Sequence, residues 1–464
     1  MPRSPLLDAL PPLPSSDDWA RVRAQLSRGG PKAVVLDDDP TGTQTMHGID
    51  VLADWSVEAL GAALRDPRPC FYVLTNSRSL PTAEAAALSR EIAGNLAQAA
   101  SRTGVDVELI SRSDSTLRGH FAAELAALEA GLGRTPDARI VVPAFFEGGR
   151  LTLDDVHYVA DGDTLVPAAD TEFARDATFG YRHSNLREWI EEKTEGRVRA
   201  ADVASVSLAT LREPCGADRV REQLLGLPSG AYVIVNAAAY GDLEVFVHGL
   251  LQAEAAGRRY LFRTAASFVR VRSGLDPIPV LGATELCDEG SNGGLLVVGS
   301  YTQKTTLQLT SVLGLPNVIE IELDVGQLAE PASRDAEVAR VADSALTVMR
   351  TGRHAVVFTS RERQSRLGSA GDLRAGRIVS DALVAVVRAI PLRPRFLIAK
   401  GGITSSDLAI HGLGMRRALV VGQAAAGVPV WEMGPETRFP GLRYIVWPGN
   451  VGGPDALRDL LELM

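Results

Sequence analysis

The sequence has little cysteine and no long apolar run, and each absence argues against a class of protein. Its three cysteines, Cys70, Cys215 and Cys287, are scattered and form no CxxC pair. This pattern argues against a disulfide scaffold or a structural zinc site and indicates a reducing compartment. The N-terminus is interrupted by prolines and lacks the apolar core of a signal peptide, and no run is long enough to span a membrane. We therefore expect a cytoplasmic protein without a membrane partner.

Basic residues are also in the minority. The chain has 48 basic and 57 acidic residues, a net charge of −9. A protein of this sign is a poor candidate for binding nucleic acid or an acidic membrane. Its seven histidines show no HxxxH or similar metal spacing, which argues against zinc. A soluble enzyme acting on small molecules is the remaining expectation, as a monomer or a homo-oligomer.

Length and periodicity predict the fold class. A chain of 464 residues is too long for one ordinary core, so two domains are expected. Short apolar runs such as "AVVLDDD" and "ARIVVPAF" alternate with helical patterns, as in parallel sheets flanked by helices. The polar stretch Ala283 to Gly294 is the best linker. We predict α/β domains over residues 31–282 and 292–464, each a mostly parallel sheet flanked by helices, with the active site in the cleft between them.

Three aspartates follow the first apolar run, and they can be interpreted in two frames. In one frame, Asp37, Asp39 and Thr41 fit the DxDxT pattern of haloacid-dehalogenase-type phosphohydrolases. In those enzymes the first aspartate attacks phosphorus and the second moves a proton. That chemistry also needs a later lysine and an acidic metal pair. The chain has only four lysines, and its "GDLEVF" stretch has Phe246 where the second acid should stand.

The other frame is a strand-end "DDxTG" turn. Here Asp38 and Asp39 would accept hydrogen bonds from a polyol, or one of them would act as a base toward a hydroxyl group. An aspartate at a strand end also commonly caps a turn or the next helix. Capping alone would account for one of the three carboxylates, but not for all of them together.

A second polar cluster, "SRSDSTLRGH", follows a later strand. Arg112 and Arg118 offer bidentate donors for a carboxylate or phosphate, and Asp114 offers an acceptor between small hydroxyl groups. Ser115 or Thr116 would alternatively cap the helix that follows. Another arginine, Arg78 in "TNSRSL", ends a neighbouring strand. Because ligands sit beyond the carboxyl ends of strands in open α/β sheets, these clusters predict a pocket for a small anionic polyol.

The second half of the chain has glycine turns where the first has charges. "VVGSYTQKTT" is not a P-loop, because Val298 and Gln303 stand where that pattern requires glycine. It still places Ser300 between a strand and a helix N-terminus, where free N–H groups favour an anion. "AKGGITSSD" and "WPGNVGGPDAL" repeat the arrangement. Three such turns at strand ends favour a nucleotide ligand. The sequence contains no GxSxG motif, so nothing in it indicates a serine hydrolase.

Taken together, these motifs resemble the landmarks of the four-carbon acid sugar kinase family, in the same order. They span about residues 34 to 453, so the resemblance covers nearly the whole chain. The motifs are "DDDPTGTQT", "NSRSL", "SRSDSTLRGH", "FRTAASFV", "VVGSYTQKTTLQL", "KGGITSSDLA" and "PGNVGG".

The resemblance implies an N-terminal domain that binds the acid sugar, a C-terminal domain that binds the nucleotide, and transfer of phosphate from ATP with Mg²⁺ bridging the phosphates. The substrate-contacting positions that it implies are Asp38, Arg78, Arg112, Ser113, Asp114 and Ser115. The implied ATP-contacting positions are Ser300, Gly401, Gly402, Ile403, Thr404 and Gly449. Arg112 stands where many members have lysine, and Ile403 replaces a polar residue that is common in this loop.

We therefore predict an ATP-dependent kinase that phosphorylates a hydroxyl group of threonate, erythronate, 3-oxo-tetronate or a branched acid such as 3-oxo-isoapionate. Asp38 is the expected catalytic base and Asp114 the competing candidate, while the metal ligands stay open. The irregular segment Phe145 to Ser205 is the expected place for substrate choice. Two alternatives remain: the phosphohydrolase that uses Asp37 and Asp39, and a sugar-acid or nucleotide sensor without catalytic activity.

Overall fold

The structure is a computed structural model that describes residues 3–13, 17–360, 373–449 and 451–464. Asn450 of the "PGNVGG" motif therefore lies outside the described residues. The chain divides into two compact units. The first unit contains Met1–Gly42 and Asp54–Pro277, and the second contains Thr43–Ala53 and Ile278–Met464. The second unit thus takes an eleven-residue segment from inside the first half of the sequence.

Strands and helices alternate along most of both units. In chain order the strands are β1 (Lys32–Asp37), β2 (Ile49–Leu52), β3 (Cys70–Leu74), β4 (Val107–Arg112), β5 (Ala138–Val142), β6 (Arg150–Leu153), β7 (Val156–Asp161), β8 (Thr164–Pro167), β9 (Ala204–Val206), β10 (Ala231–Val235), β11 (Tyr260–Thr264), β12 (Leu295–Val298), β13 (Val318–Leu323), β14 (His354–Thr359), β15 (Leu397–Lys400), β16 (Arg417–Ala425), β17 (Val428–Met433) and β18 (Arg443–Trp447). The helices are α1 (Arg3–Asp8), α2 (Asp18–Leu26), α3 (Val57–Arg65), α4 (Thr82–Thr103), α5 (Phe121–Leu132), α6 (Leu186–Lys193), α7 (Leu208–Leu211), α8 (Gly216–Leu225), α9 (Tyr240–Ala255), α10 (Ala266–Arg272), α11 (Ala283–Leu286), α12 (Gln303–Val312), α13 (Pro331–Arg350), α14 (Leu373–Ala389), α15 (Gly402–Asp407) and α16 (Ala456–Leu463).

The first unit is built on a parallel sheet with the strand order β3-β1-β4-β11-β5-β10-β9. Strands β3 and β4 are buried at every position, as expected for strands of a parallel sheet covered by helices on both faces. The chain leaves β1 toward the side of this pair on which β3 lies, and it leaves β4 toward the side on which β11 lies. The two connections therefore run in opposite directions along the sheet. The carboxyl ends of β1 and β4 therefore form a topological switch point, the usual place for a ligand in an open α/β sheet.

An antiparallel sheet of three strands, β6-β7-β8, interrupts the alternating pattern after β5. It lies within the segment that the sequence marks as irregular. His157 on β7 is fully buried, and its Nε2 is 2.8 Å from the main-chain oxygen of Ser115. The Tyr181 hydroxyl, further along the same segment, donates to the main-chain oxygen of Thr116 at 2.8 Å. The irregular segment, through this three-stranded insert and Tyr181, thus holds the loop that follows β4 in place.

The second unit contains parallel strands in the order β13-β14-β12-β15-β18, continued by the antiparallel strands β17, β16 and β2. Strand β2 belongs to the segment 43–53 and pairs with β16. Near this segment, the indole of the buried Trp431 donates to the Thr43 hydroxyl at 3.1 Å. The connections of β12 and β15 leave in opposite directions, which creates a second switch point between their carboxyl ends.

The predicted fold class, two α/β domains with mostly parallel sheets flanked by helices, is confirmed. The predicted linker begins with a short helix, α11, where the Glu285 side chain accepts from the Gly282 amide at 2.9 Å. Among the helices of the described residues, none combines the length and apolar character that crossing a membrane requires.

Candidate functional site

The register of the first sheet places Asp37 beside Arg112. The two residues are partners across β1 and β4, and Arg112 Nη1 lies 3.2 Å from Asp37 Oδ1. Both side chains are almost completely buried. Burial and the neighbouring carboxylates of Asp38 and Asp39 raise the pKa of Asp37 to about 8, although Arg112 acts in the opposite direction. Asp37 is therefore largely protonated at neutral pH.

Gly42 allows the aspartate turn to fold against Asp37. A Cβ atom at Gly42 would lie only 1.9 Å from Asp37 Oδ2, so no larger residue fits without moving this carboxyl group. Within the turn, the Thr41 amide donates to Asp39 Oδ1 at 2.8 Å. Asp39 thus caps the turn, which is the alternative role that the sequence left open for one of the three.

Arg78 joins the aspartate turn to the loop after β4. Its guanidinium lies 3.2 Å from Asp38, 3.0 Å from Asp39 and 3.6 Å from Asp114. It lies two residues after Asn76, whose φ of 50° bends the chain in the left-handed region after β3. The three carboxylates raise the pKa of Arg78 despite its burial, so this residue carries its charge at every relevant pH. One cation therefore fixes the carboxylates of two adjacent strand ends.

Asp38 is held by a second chain of hydrogen bonds. The Ser113 hydroxyl lies 2.5 Å from Asp38 Oδ2, and Arg263 Nη2 donates to the same hydroxyl at 2.7 Å. Arg263 lies on β11 beside β4, and its Nη1 is 2.6 Å from Glu124 of α5. Burial raises the pKa of Asp38, with Arg78 opposing it. Asp38 thus shares an increased proton affinity with Asp37.

Asp114 has the opposite electrostatic environment. Arg118 Nε donates to Asp114 Oδ2 at 2.6 Å, and the Thr116 hydroxyl donates to the same oxygen. These donors and Arg78 outweigh the effect of burial and hold the pKa of Asp114 far below its usual range. Asp114 is consequently a stable anion and a weak base.

The loop after β4 does not cap helix α5 through Ser115 or Thr116. Helix α5 begins at Phe121, and the residue that precedes it is His120, so neither Ser115 nor Thr116 caps this helix. That alternative was wrong because the loop runs four residues further before the helix starts. Its conformation includes Leu117 with φ of 67° and Gly119 with φ of 119°.

The sequence interpretation missed Arg263 and Glu124. Arg263 occurs in the quoted "FRTAASFV" motif, but no role was assigned to it there. A charged residue in an otherwise apolar strand was the available signal, because a buried arginine requires a partner. Glu124 gave no comparable signal, since a glutamate in the first turn of a helix is common for its effect on the helix dipole.

The phosphohydrolase frame fits this geometry poorly. Its nucleophile would be Asp37, which is 1% exposed, paired with Arg112 and largely protonated at neutral pH. A carboxylate nucleophile must be ionised and must reach phosphorus. Asp39, the second residue of that frame, is engaged by Arg78 and the Thr41 amide instead.

The second switch point, between β12 and β15, is lined by hydroxyl groups and glycines. Thr302 caps α12 by accepting from the Thr305 amide at 3.2 Å. The Thr305 hydroxyl lies 3.0 Å from the Ser300 hydroxyl and 3.2 Å from the main-chain oxygen of Gly449. The turns after β12 and β18 therefore meet through short polar side chains.

Close packing explains the glycines here. A Cβ atom at Gly299 would lie 2.1 Å from Thr404 Oγ1, and one at Gly449 would lie 3.0 Å from Ser300 Oγ. Gly401 has φ of 120°, a conformation that other residues rarely adopt, and its amide donates to the Trp447 main-chain oxygen at 2.9 Å. Ser300, Gly401, Thr404 and Gly449 are thus brought together as one group of neighbours.

Ile403 and Gly402 begin α15 after this turn. The Ile403 side chain is 54% exposed, while Thr404 is buried against Gly299. Ile403 therefore contributes its main chain rather than its side chain to the inner surface of the turn. Lys400, the last residue of β15, is fully buried, and its Nζ donates to the Pro448 main-chain oxygen at 3.1 Å.

Within the part of the chain that the structure describes, no group of three or more histidine, cysteine, aspartate or glutamate side chains is arranged to hold a metal ion.

The two switch points offer different ligand chemistry. The first offers charged donors and acceptors for a polar anionic molecule, and the second offers amides and hydroxyl groups that lie close to the backbone.

Two family models match this chain. Residues 33–272 match a sugar-binding N-terminal domain, and residues 295–457 match a nucleotide-binding C-terminal domain. A 3-oxo-tetronate kinase of Methylobacterium radiotolerans is 26% identical over 438 residues, which cover 92% of this chain and 98% of that protein. A D-threonate kinase of Bordetella bronchiseptica is 36% identical over 166 residues, which cover 34% of this chain and 38% of that protein.

A solved structure agrees with the fold. The crystal structure of a Haemophilus influenzae protein matches with a TM-score of 0.62 and 18% sequence identity, covering 93% of this chain and 99% of that one. At this level of identity the likeness shows the fold alone.

Proposed function

Because the chain belongs to the four-carbon acid sugar kinase family, we propose that it transfers the γ-phosphate of ATP to a hydroxyl group of a four-carbon acid sugar. Threonate, erythronate and 3-oxo-tetronate are the candidate acceptors, together with branched acids such as 3-oxo-isoapionate. The single observation that carries this proposal is the cluster at the first switch point. There a buried aspartate with raised pKa lies between an arginine and a serine at the end of β1.

The first unit would hold the acid sugar. Arg78, Ser113, Asp114 and Ser115 would contact it, with carboxylates accepting from its hydroxyl groups and the guanidinium donating to its oxygens. The pairing of Arg112 with Asp37 supports a positioning role for Arg112 within this group. These contacts would fix one hydroxyl group next to Asp38.

Asp38 is the proposed catalytic base. Phosphoryl transfer forms a bond between the acceptor oxygen and the γ-phosphorus and breaks the bond from that phosphorus to the β,γ-bridging oxygen. The proton of the acceptor hydroxyl would pass to Asp38. A base is more effective when its pKa is not far below the working pH, which favours Asp38 over Asp114.

The second unit would hold ATP. Ser300, Gly401, Gly402, Ile403, Thr404 and Gly449 are the proposed contacts, through main-chain amides and short hydroxyl groups. The close approaches at Gly299 and Gly449 fit this role, because they let the Thr404 and Ser300 hydroxyl groups lie against the backbone of the turns. The exposed Ile403 fits a main-chain contact.

Mg²⁺ is proposed as the accompanying ion. When bound it would neutralise charge on the transferring phosphate. Magnesium in kinases is held largely by the phosphates and by water, with only one or two protein carboxylates. The described residues fit this mode, since no dedicated cage of ligands is required.

The test is ADP formation by the purified protein with ATP and Mg²⁺ over a panel of acids. The panel contains D- and L-threonate, D- and L-erythronate, their 3-oxo forms and branched 3-oxo acids. ADP that forms with one acid and not with buffer supports the kinase. No ADP with any acid, together with phosphate release from a sugar phosphate, would support the phosphohydrolase frame instead. Binding of acid or ATP without turnover would support a sensor.

A further inference from the structure

Four arginines around the first switch point each have a carboxyl partner inside the protein. Arg78 pairs with three carboxylates, as described above. The other pairs are Arg112 with Asp37, Arg118 with Asp114 and Asp176, and Arg263 with Glu124. Each of these arginines therefore already has a carboxyl group of the protein within ion-pair distance.

Arg150, the first residue of β6, is different. Among the described residues, no carboxylate forms an ion pair with its guanidinium. Its Nη1 donates to the main-chain oxygen of Gly148, while its Nε is buried and has no hydrogen-bond partner. The guanidinium carbon lies 6.0 Å from the centre of the Phe173 ring. Burial lowers the pKa of Arg150 below its usual value, and the charge of Asp114 opposes this effect only in part.

The position of Arg150 links it to the loop after β4. Arg118, which contacts Asp114 of this loop, packs over the same Phe173 ring at 5.0 Å. Asp114 is also the negative group that acts most strongly on Arg150. In addition, His157 on the adjacent strand β7 contacts the main chain of Ser115. Arg150 therefore lies on the side of the proposed substrate loop that faces the three-stranded insert.

A guanidinium whose Nε is buried without a hydrogen-bond partner is unfavourable, because the desolvation cost is not offset by an ion pair. A ligand carboxylate would reduce this penalty, and it could accept in a bidentate manner from the Nε that lacks a partner and from Nη2 together. Every acid sugar has such a group, whereas the corresponding neutral sugars do not. This argument rests on the proposed function, which supplies an anionic ligand for the site.

We propose that Arg150 binds the carboxylate group of the acid sugar and thereby selects acids over neutral sugars. The β6-β7-β8 insert would then serve two purposes, since it supports the substrate loop and supplies the specificity residue. A site that leaves a buried polar group unpaired rejects an analogue more strongly than one that only lacks an apolar contact. Neutral analogues should therefore bind poorly even when all their hydroxyl groups match.

The competing explanation is that Arg150 is only a packing residue. Arg139 is a matched control, because it also lies over an aromatic ring, at 5.0 Å from the centre of Tyr232, and donates to a main-chain oxygen, that of Gly230, at 2.6 Å. Unlike Arg150, it has a carboxylate partner, Glu129, at 2.5 Å. Arg139 thus shows the same packing with its charge already balanced.

The experiment compares R150Q and R139Q with the unaltered protein, using the best acid of the panel and its neutral primary amide. Loss of a charge-assisted pair should raise the KM for the acid roughly 10- to 100-fold in R150Q. We expect the KM for ATP and the apparent affinity for the amide, measured by inhibition, to stay within about twofold. R139Q should retain the KM for the acid. An unchanged KM for the acid in R150Q would overturn the proposal.

A second readout separates this inference from the proposed function. The acid alone, without ATP, should raise the Tm of the unaltered protein and of R139Q, and should raise it much less in R150Q. If no acid supports ADP formation but this difference is found, the kinase proposal fails and the carboxylate site stands. Equal shifts in both variants, or no shift in any protein with any acid, would contradict the carboxylate site.

R150K covers the case in which R150Q does not fold. Lysine keeps the charge but cannot donate in the bidentate manner, so the KM for the acid should rise about 5-fold or more. A folded R150K that binds acid and amide like the unaltered protein would count against Arg150 as the carboxylate ligand.

Discussion

The two switch points occupy equivalent places in their sheets but are built from different materials. At the end of β1 and β4, arginines and carboxylates hold one another through side chains, several of them almost completely buried. At the end of β12 and β15, glycines and hydroxyl groups bring main-chain segments together, with little charge. The first arrangement fixes the directions of charges, whereas the second packs short hydroxyl side chains against the backbone.

This difference indicates which changes each region tolerates. A network of fixed charges is sensitive to the removal of one charge, because the partner is left buried and unpaired. The glycine turns at the ends of β12 and β15 should be sensitive to added atoms and should tolerate the loss of an exposed side chain. The four predictions below test this contrast, from the largest expected effect to the smallest.

Removing the charge of Asp38 should have the largest effect. Asp38→Asn keeps the shape of the side chain but cannot take up the acceptor proton, so kcat should fall about 10³-fold. The KM for ATP should change little, and steady-state ADP formation measures both quantities. Asp39→Asn, at the residue that caps the turn, is the neighbouring control and should lose much less. A turnover near that of the unaltered protein in Asp38→Asn would exclude Asp38 as the base.

Adding one carbon atom at Gly299, in the turn after β12, should have the next largest effect. In Gly299→Ala the new Cβ would lie 2.1 Å from Thr404 Oγ1, so the Thr404 side chain must rotate or move away. A displacement of this size at a binding site should raise the KM for ATP about 10- to 100-fold. Binding of the acid, followed by calorimetry, should not change.

The control for this change is Gly314→Ala in the same unit. A Cβ atom there would meet its nearest neighbour at 3.6 Å, an ordinary contact. This variant should keep the KM for ATP. An equal rise of the KM for ATP in both variants would mean that the second unit responds to any added atom. The proposal that the glycine turns are the specific nucleotide contact would then fail.

The raised pKa of Asp37 predicts a pH dependence of stability. Its usual value is 3.8, and in the folded protein it is raised to about 8. Between these limits the folded protein holds a proton that the unfolded chain has released. The stabilisation is therefore complete below about pH 4 and is lost as the pH rises toward 8. Asp37→Asn has no proton to lose, so the unaltered protein should lose stability relative to this variant over that range.

Urea unfolding at pH 5 and at pH 8.5 measures this difference. We expect a change of a few kcal/mol in the relative free energy of unfolding, since each unit of pKa shift corresponds to about 1.4 kcal/mol. Asp39→Asn is the control, because Arg78 and the Thr41 contacts outweigh burial and lower the pKa of Asp39, so that its own titration falls below this range. Parallel curves for the unaltered protein and Asp37→Asn would show that Asp37 is not protonated in the fold.

The smallest effect is expected at Ile403. Its side chain is 54% exposed at the start of α15, so Ile403→Ala removes atoms that do not support the turn. The KM for ATP should stay within about twofold, as measured by ADP formation. A large increase would mean that the isoleucine side chain itself contacts the nucleotide, and the contrast between the two regions would be weaker than described.

Much of this organisation could be predicted from the sequence, since alternating periodicity and turn residues are local signals. They were sufficient for two α/β units, for a polar cluster after β1 and β4, and for glycine turns in the second half. The direction of each connection decides where the switch points lie, and no local pattern reports it. The partners of Asp38 were likewise hidden, because Arg263 reaches Ser113 across 150 residues of sequence.

Individual electrostatic roles were the hardest to predict. Asp37, Asp38 and Asp39 are neighbours in sequence with identical side chains, yet burial raises the pKa of two of them and nearby donors lower that of the third. Only the packed environment distinguishes them. The start of α5 was similarly out of reach, since serine and threonine are good helix caps wherever they precede a helix.

The segment 43–53 limits how such a protein can be recombined. The chain leaves the first unit directly after Gly42, contributes β2 to the second unit, and returns at Asp54. A gene cut once, between the codons for Pro277 and Ile278, would yield an N-terminal product that carries β2 without its partner β16. Exchange of a whole unit between relatives therefore requires three matched junctions, so we expect the two halves to be inherited together rather than shuffled.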